Sequence, residues 1–178
     1  MRNLIIKGQT IPAVRICAGE SAPEQYAAKE LGAYLAKLGI AVTEADDAYP
    51  MITAIDPTIG RDGYRIAVTE DTLTVFGGNG RGVIYGVYRM LEKFAGVRYY
   101  MPGLETLGEG DIVIDADDAF VPVFEMRQSD WQCGNTSVDW CLKNGINHRP
   151  IPAEQGGHIK YGTFVHTMGR LVGVEEPH

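Results

Sequence analysis

The sequence predicts an α/β (α+β) fold: a two-layer sandwich with a mixed or antiparallel sheet, two helices packed on one face, and an irregular C-terminal extension. Three observations carry this. Two segments repeat apolar residues at helical spacing, each with a single apolar stripe, which suits one helical layer on one sheet face. Several short segments alternate apolar and polar residues as half-buried strands do. Two of those strands are joined by a tight turn, and a hairpin puts antiparallel neighbours into the sheet.

In order along the chain, Ala13 to Ala18 alternates as a strand with Val14 and Ile16 on one face. Ser21-Ala-Pro-Glu24 has the spacing of a capping box, in which serine and glutamate each satisfy the other's backbone amide. Ala27, Ala28, Leu31, Leu35 and Leu38 then recur at helical spacing until Gly39 stops the helix. Ile40 to Thr43 and Met51 to Ile55 read as short strands. Tyr64, Ile66 and Val68, then Leu73 and Val75, form a hairpin about the Glu70-Asp71 turn. A second helix begins near Asn79 or Gly80, puts Val83, Ile84, Val87, Leu91 and Phe94 on one face, and ends at Gly96. Val97 to Tyr100 and Asp111 to Ile114 supply further strands.

After Pro122 the character changes. All four histidines, both tryptophans and two of three cysteines fall in the last third, where periodicity is scarce. Val121 to Arg127 reads as one strand and Ser137 to Lys143 as one short helix.

A length of 178 residues suits one domain, or one domain and part of another. The net charge of −7, with 16 scattered Lys and Arg, excludes general nucleic-acid binding and an anionic membrane surface as partners. Cys17, Cys133 and Cys141 leave an odd cysteine and no disulfide framework. The N-terminus has only a three-residue apolar run before Lys7, too short for a signal peptide. Both point to the cytoplasm, or to secretion if a leader had already been removed.

Gly80, Gly82 and Gly86 open the second helix as G-x-G-x-x-x-G, close to a dinucleotide fingerprint. That fingerprint requires an acidic residue at the end of the next strand, and Glu105 lies beyond it. No Lys-Ser/Thr pair makes a P-loop. The glycines are better read as permitting close approach of helix to sheet. Cys133, Cys141, His148 and His158 lack the short clips that pre-organise zinc sites, so no metal or other cofactor is expected.

Four short motifs come in sequence: Asp62-Gly-Tyr-Arg-Ile, Leu73-Thr-Val-Phe-Gly-Gly, Arg81-Gly-Val-Ile-Tyr-Gly-Val-Tyr-Arg-Met-Leu-Glu, and Gly96-Val-Arg-Tyr-Tyr-Met-Pro-Gly. Together they resemble the N-terminal α/β domain of glycoside hydrolases of the α-glucuronidase type, the second domain of β-N-acetylhexosaminidases, and bacterial relatives of unassigned activity. The resemblance implies a non-catalytic sandwich over residues 1–120. Residues 121–178 would then be the truncated start of a catalytic (β/α)8 barrel, or an irregular tail.

On that resemblance, Val123-Phe-Glu-Met-Arg127 matches the first barrel strand, with Arg127 directed at the sugar. Trp131 would lie in the first βα loop, Trp140 through Asn147 would form the first barrel helix and its exit, and His166 would follow the second strand. Substrate contact is thus expected of Arg127, Trp131 and His166, and catalysis of no residue here, because the carboxylate pair lies on later strands. A barrel needs about 250 residues and roughly 55 follow the front domain. Read from the residues alone, Arg127 is equally an ion-pair partner for Asp130 or Glu125, and Trp131 equally a packing residue. Tyr85 and Tyr88, three apart on a helix, read as core.

The implied function is an accessory domain bracing the barrel of a carbohydrate-active hydrolase, inactive by itself, with a carbohydrate as partner through the barrel. The alternative is a free-standing carbohydrate-binding or oligomerising module. Exposed Phe124, Met126 and Phe164, normally covered by the rest of a barrel, would predict self-association of the fragment. A nucleotide-binding protein is a third reading.

Overall fold

A computed structural model describes residues 2–148 and 150–159 of the protein. The main sheet has five strands, β3 (Val14–Ala18), β4 (Tyr49–Ile55), β5 (Tyr64–Val68), β6 (Leu73–Gly77) and β10 (Asp118–Phe120). They lie in the order β10–β5–β6–β4–β3. β3, β4 and β6 run parallel, whereas β5 pairs antiparallel with β6 and β10 antiparallel with β5. The sheet is mixed, as expected. α1 (Ala22–Lys37) packs on β3 and β4, α2 (Gly80–Phe94) on β5 and β6, and the two helices pack on each other.

The helix boundaries follow from local chemistry. Ser21 caps α1 in a complete capping box with Glu24, and Gly39 at φ 81 turns the chain away. Glu24 does more than cap: its Oε1 also accepts from the backbone of Ile55, 2.9 Å away, tying the start of α1 to the end of β4. Asn79 caps α2 through Gly82 N at 2.8 Å. The glycines at this turn are steric. A Cβ on Gly82 would lie 2.3 Å from Gly63 O, and one on Gly86 2.6 Å from Val75 Cγ1.

Two smaller sheets complete the unit. β1 (Leu4–Ile6) lies between β2 (Gln9–Ile11), antiparallel, and β9 (Ile112–Ile114), parallel. β7 (Arg98–Met101) and β8 (Leu104–Thr106) form a separate hairpin over Pro102-Gly103. Leu4, Ile6, Ile112 and Ile114 join the same apolar core as both helices. At its centre Tyr34, Tyr88 and Tyr99 meet edge to face, with centroids 5.6–6.3 Å apart, the arrangement ring quadrupoles favour. Tyr85 and Tyr88 are core residues, as their spacing predicted.

Three expectations are corrected. Ile40 to Thr43 is not a strand: Ile40 N closes onto Leu35 O at the helix end, leaving only an isolated bridge between Val42 and Val14. α2 has no single stripe, since every residue from Arg81 to Tyr88 is buried, and so are Met90 and Leu91. It meets the sheet, α1, and on its remaining side the C-terminal segment, through α4 (Val138–Lys143) and a 3-10 turn at Ala153–Gln155. Val121 to Arg127 is not a strand either. Pro122 has no N–H to give a ladder, and the backbone of Arg127 is held by Asn147 instead: its N–H donates to Asn147 Oδ1 and its carbonyl accepts from Asn147 N. The short helix expected at Ser137 to Lys143 is α4, capped by Ser137, and α3 (Gln132–Thr136) precedes it.

Candidate functional site

The most concentrated polar chemistry lies where the sandwich meets the segment after residue 120. Asp62 sits in the tight link between β4 and β5 at φ 58, a left-handed conformation that Asp tolerates better than most residues. Its side chain is 1% exposed. Oδ1 accepts from Asn79 Nδ2 at 2.8 Å and Arg81 Nε at 2.9 Å. Oδ2 accepts from Arg127 Nη2 at 2.7 Å and Asn147 Nδ2 at 2.9 Å. One oxygen thus serves the sandwich and the other serves the C-terminal segment. Burial pushes the Asp62 carboxyl up, but hydrogen bonds from Arg81, Asn79 and Arg127 outweigh it and hold the group below the usual carboxylate range.

Around this carboxylate the partners make further hydrogen bonds of their own. Arg81 Nη1 donates to Gly156 O and Gly157 O at 3.2 and 2.9 Å. Asn147 is fully buried and gives its second amide hydrogen to Glu125 O at 2.8 Å. Arg127 donates from Nε to Gly145 O at 2.6 Å and from Nη1 to Phe124 O at 2.9 Å, and its guanidinium lies 5.5 Å from the Tyr85 ring centroid. A second, more exposed clasp forms at Glu105, which accepts from Tyr34 of α1, from Lys37 Nζ at 3.0 Å, and from Lys143 Nζ of α4 at 3.5 Å. Burial raises the Glu105 carboxyl, and those donors then bring it below its ordinary value.

The start of α2, where a dinucleotide would rest its phosphates, is covered by the chain itself. A Cβ on Gly156 would fall 2.5 Å from Arg81 N, and one on Gly80 would fall 2.7 Å from Pro23 Cγ. The carbonyls of Gly156 and Gly157 already answer the positive charge there. This geometry disfavours the nucleotide reading.

Among the residues expected at a sugar site, Arg127 is 21% exposed and directed into the junction. Its ion-pair partner is neither Asp130 nor Glu125 but Asp62, and Glu125 pairs with Arg61. Trp131 is 79% exposed at the start of α3. His166 lies outside the described residues. Asp62 and Asn147 went unforeseen. Asp62-Gly63 reads locally as turn chemistry, which masks a buried carboxylate, and Asn147 carries no local signal. Among the described residues, no group of three or more His, Cys, Asp or Glu could hold a metal ion, and no helix is long and apolar enough to cross a membrane.

The chain resembles an exo-β-N-acetylglucosaminidase from Vibrio harveyi at 13% identity, over 55% of this chain and 15% of that enzyme, with a TM-score of 0.40. A β-N-acetylhexosaminidase from Streptomyces coelicolor matches at 18% identity, over 70% and 24%, with a TM-score of 0.38. One from Bacteroides fragilis matches at 20% identity, over 51% and 18%, with a TM-score of 0.33. The match thus spans less than a quarter of each of these enzymes. Residues 9–98, half of this chain, match the family model described as glycosyl hydrolase family 20, domain 2, and the chain belongs to that family.

Proposed function

We propose that residues 1–120 are the non-catalytic accessory domain of a carbohydrate-active hydrolase and that residues 121–178 open its (β/α)8 barrel. The observation that carries this is the shared Asp62 carboxylate. It fixes Arg127, which closes a segment that the resemblance aligns with a first barrel strand but that forms no strand here, and Asn147, just beyond α4, against the sandwich. A buried, four-donor carboxylate sets the relative position of two segments more tightly than surface pairs do. The domain therefore acts as a brace.

In this reading Trp131, with its ring in solvent, is the residue most available to stack on a sugar. Arg127 reaches the sugar only through the Nη2 hydrogen not given to Asp62, and His166, outside the described residues, is a substrate contact on the family resemblance alone. The substrate class is a β-N-acetylhexosaminide or a glucuronide. This chain by itself carries no hydrolytic activity, because the acid and its partner carboxylate lie on later barrel strands. An assay of the purified chain with chromogenic N-acetyl-β-glucosaminide and glucuronide tests this, and turnover above background overturns it.

One observation favours a second reading, an oligomerising module. Of the apolar positions expected to be exposed, Phe124 is 75% exposed, Met126 is half-buried and Phe164 lies outside the described residues, while Val123 at 90% and the half-exposed Val121 extend the patch. Such a patch is covered by a barrel in the first reading and by a second copy in the other. Light scattering across a concentration series separates them: a stable dimer of defined size favours the module.

A further inference from the structure

We infer that the cavity beside the Asp62 junction is a binding site for one neutral pyranose ring, distinct from the position of Trp131. The cavity measures about 200 Å³ and is lined by Tyr64, Tyr85, Phe120 and Pro122, with Arg89 and Asn144 among its polar groups. Its size is below that of drug-sized pockets, which run from about 300 Å³, and suits a single ring.

The lining chemistry selects the ligand. Tyr64 and Phe120 have centroids 6.2 Å apart and planes inclined at 39°, so the two rings form a wedge rather than a closed stack. Phe120 is 54% exposed, an aromatic face held at the rim by the edge strand β10. Aromatic faces of this kind take the C–H face of a pyranose, and flanking polar groups take its hydroxyls. Tyr64 and Tyr85 already give their hydroxyl hydrogens, to Asp118 Oδ2 and Ile146 O, and keep lone pairs to accept a sugar hydroxyl. Asn144 donates through Nδ2 to Tyr99 O and Trp140 O, which leaves its side-chain carbonyl as an acceptor.

Pairing weighs toward a neutral sugar. Arg89 pairs with Glu92, and Arg127 shares the single carboxylate of Asp62 with Arg81. Asp62 itself lines the cavity, so an incoming carboxylate would meet a carboxylate already there, whereas a hydroxyl needs only a guanidinium N–H. This inference does not rest on the barrel reading, since every residue named lies within the described chain.

The test is a ¹H–¹⁵N NMR titration of the whole chain with methyl β-D-glucopyranoside up to about 50 mM, a range matched to a millimolar dissociation constant. Saturable shifts are expected at the amides of Tyr64, Phe120 and Gly145 and at Arg89 Nε. Phe120→Ala, at an exposed rim position, should weaken binding about tenfold, in line with the loss of one aromatic contact, while the remaining spectrum stays dispersed. Arg89→Gln should weaken it as well. The proposal is overturned by the absence of saturable shifts, by unchanged affinity in both variants, or by glucuronate binding more tightly than the neutral glucoside. Shifts centred on Trp131 instead would also overturn it, while supporting the sugar-stacking role given to that residue.

Discussion

Replacing Asp62 by Asn tests the junction most directly. Asn adopts the same left-handed backbone at φ 58, so the change acts on the side chain alone. The amide keeps one oxygen and so still satisfies one donor pair, either Asn79 with Arg81 or Arg127 with Asn147. Its NH₂ group necessarily faces the other pair, donors against donors. Arg81 is 7% exposed and Arg127 21%, so the guanidinium charge left without its carboxylate is poorly solvated. Breaking a buried ion pair by removing one partner costs about 3–5 kcal/mol, and the retained oxygen puts this variant near about 3 kcal/mol. For a chain of this length that corresponds to a fall in Tm of about 6–12 °C.

Urea denaturation followed by circular dichroism at pH 7 supplies the free energy, and hydrogen exchange locates it. Loss of protection at the Asn147 amide, which donates to Arg127 O, would put the loosened side at the C-terminal segment. Acid supplies an independent check. The folded-state pKa of Asp62 is lowered, so its contribution is complete above the unfolded value of about 3.9 and fades as pH falls through the lower folded value. Wild type should therefore lose stability below pH of about 4 more steeply than Asp62→Asn. A variant within about 1 kcal/mol of wild type, with a parallel acid profile, would refute the argument, because it would put this carboxylate among exposed pairs of little worth.

Gly86→Ala should destabilise by about 1 kcal/mol in urea: overpacking costs about 1–3 kcal/mol against a helix-propensity gain of about 1 kcal/mol. The new methyl would meet Val75 Cγ1 at 2.6 Å and Tyr64 Cβ at 3.0 Å, and stabilisation would show that α2 has room to move. Ser21→Ala removes the cap that accepts from Glu24 N and should cost about 1 kcal/mol in thermal unfolding. No change in Tm would mean that Glu24, through Ile55, holds the helix start alone. Trp131→Ala should leave Tm within about 1 °C, as expected for an exposed side chain away from the core, and a larger drop would show the ring to be a packing residue.

The parts of this fold legible in the sequence are those with local signals. The capping box at Ser21, the apolar spacing from Ala27 to Leu38, the Asn79 cap and the hairpin from Tyr64 to Val75 each involve residues a few positions apart, where chemistry and periodicity suffice. What escaped are relations across the chain. Asn3 and Asp111 are bonded 108 positions apart, where β1 takes β9 as its parallel neighbour, and no spacing rule announces such a pair. Val121 to Arg127 has a strand's composition, but a ladder needs a partner, and Asn147 takes the backbone of Arg127 first. At the junction, Arg127 was foreseen as important and its partner was not, because a polar residue in an Asp-Gly turn reads as solvated until the fold covers it.

The position of β1 has a consequence for how the chain comes together. Its first strand lies in the middle of its sheet, so half of its hydrogen-bonding edge waits for residues Ile112–Ile114. Closing a loop of that size is entropically costly before any contact repays it. During synthesis that edge therefore stays open until β9, more than a hundred residues further on, has left the ribosome. β1 is thus among the last pieces to be locked.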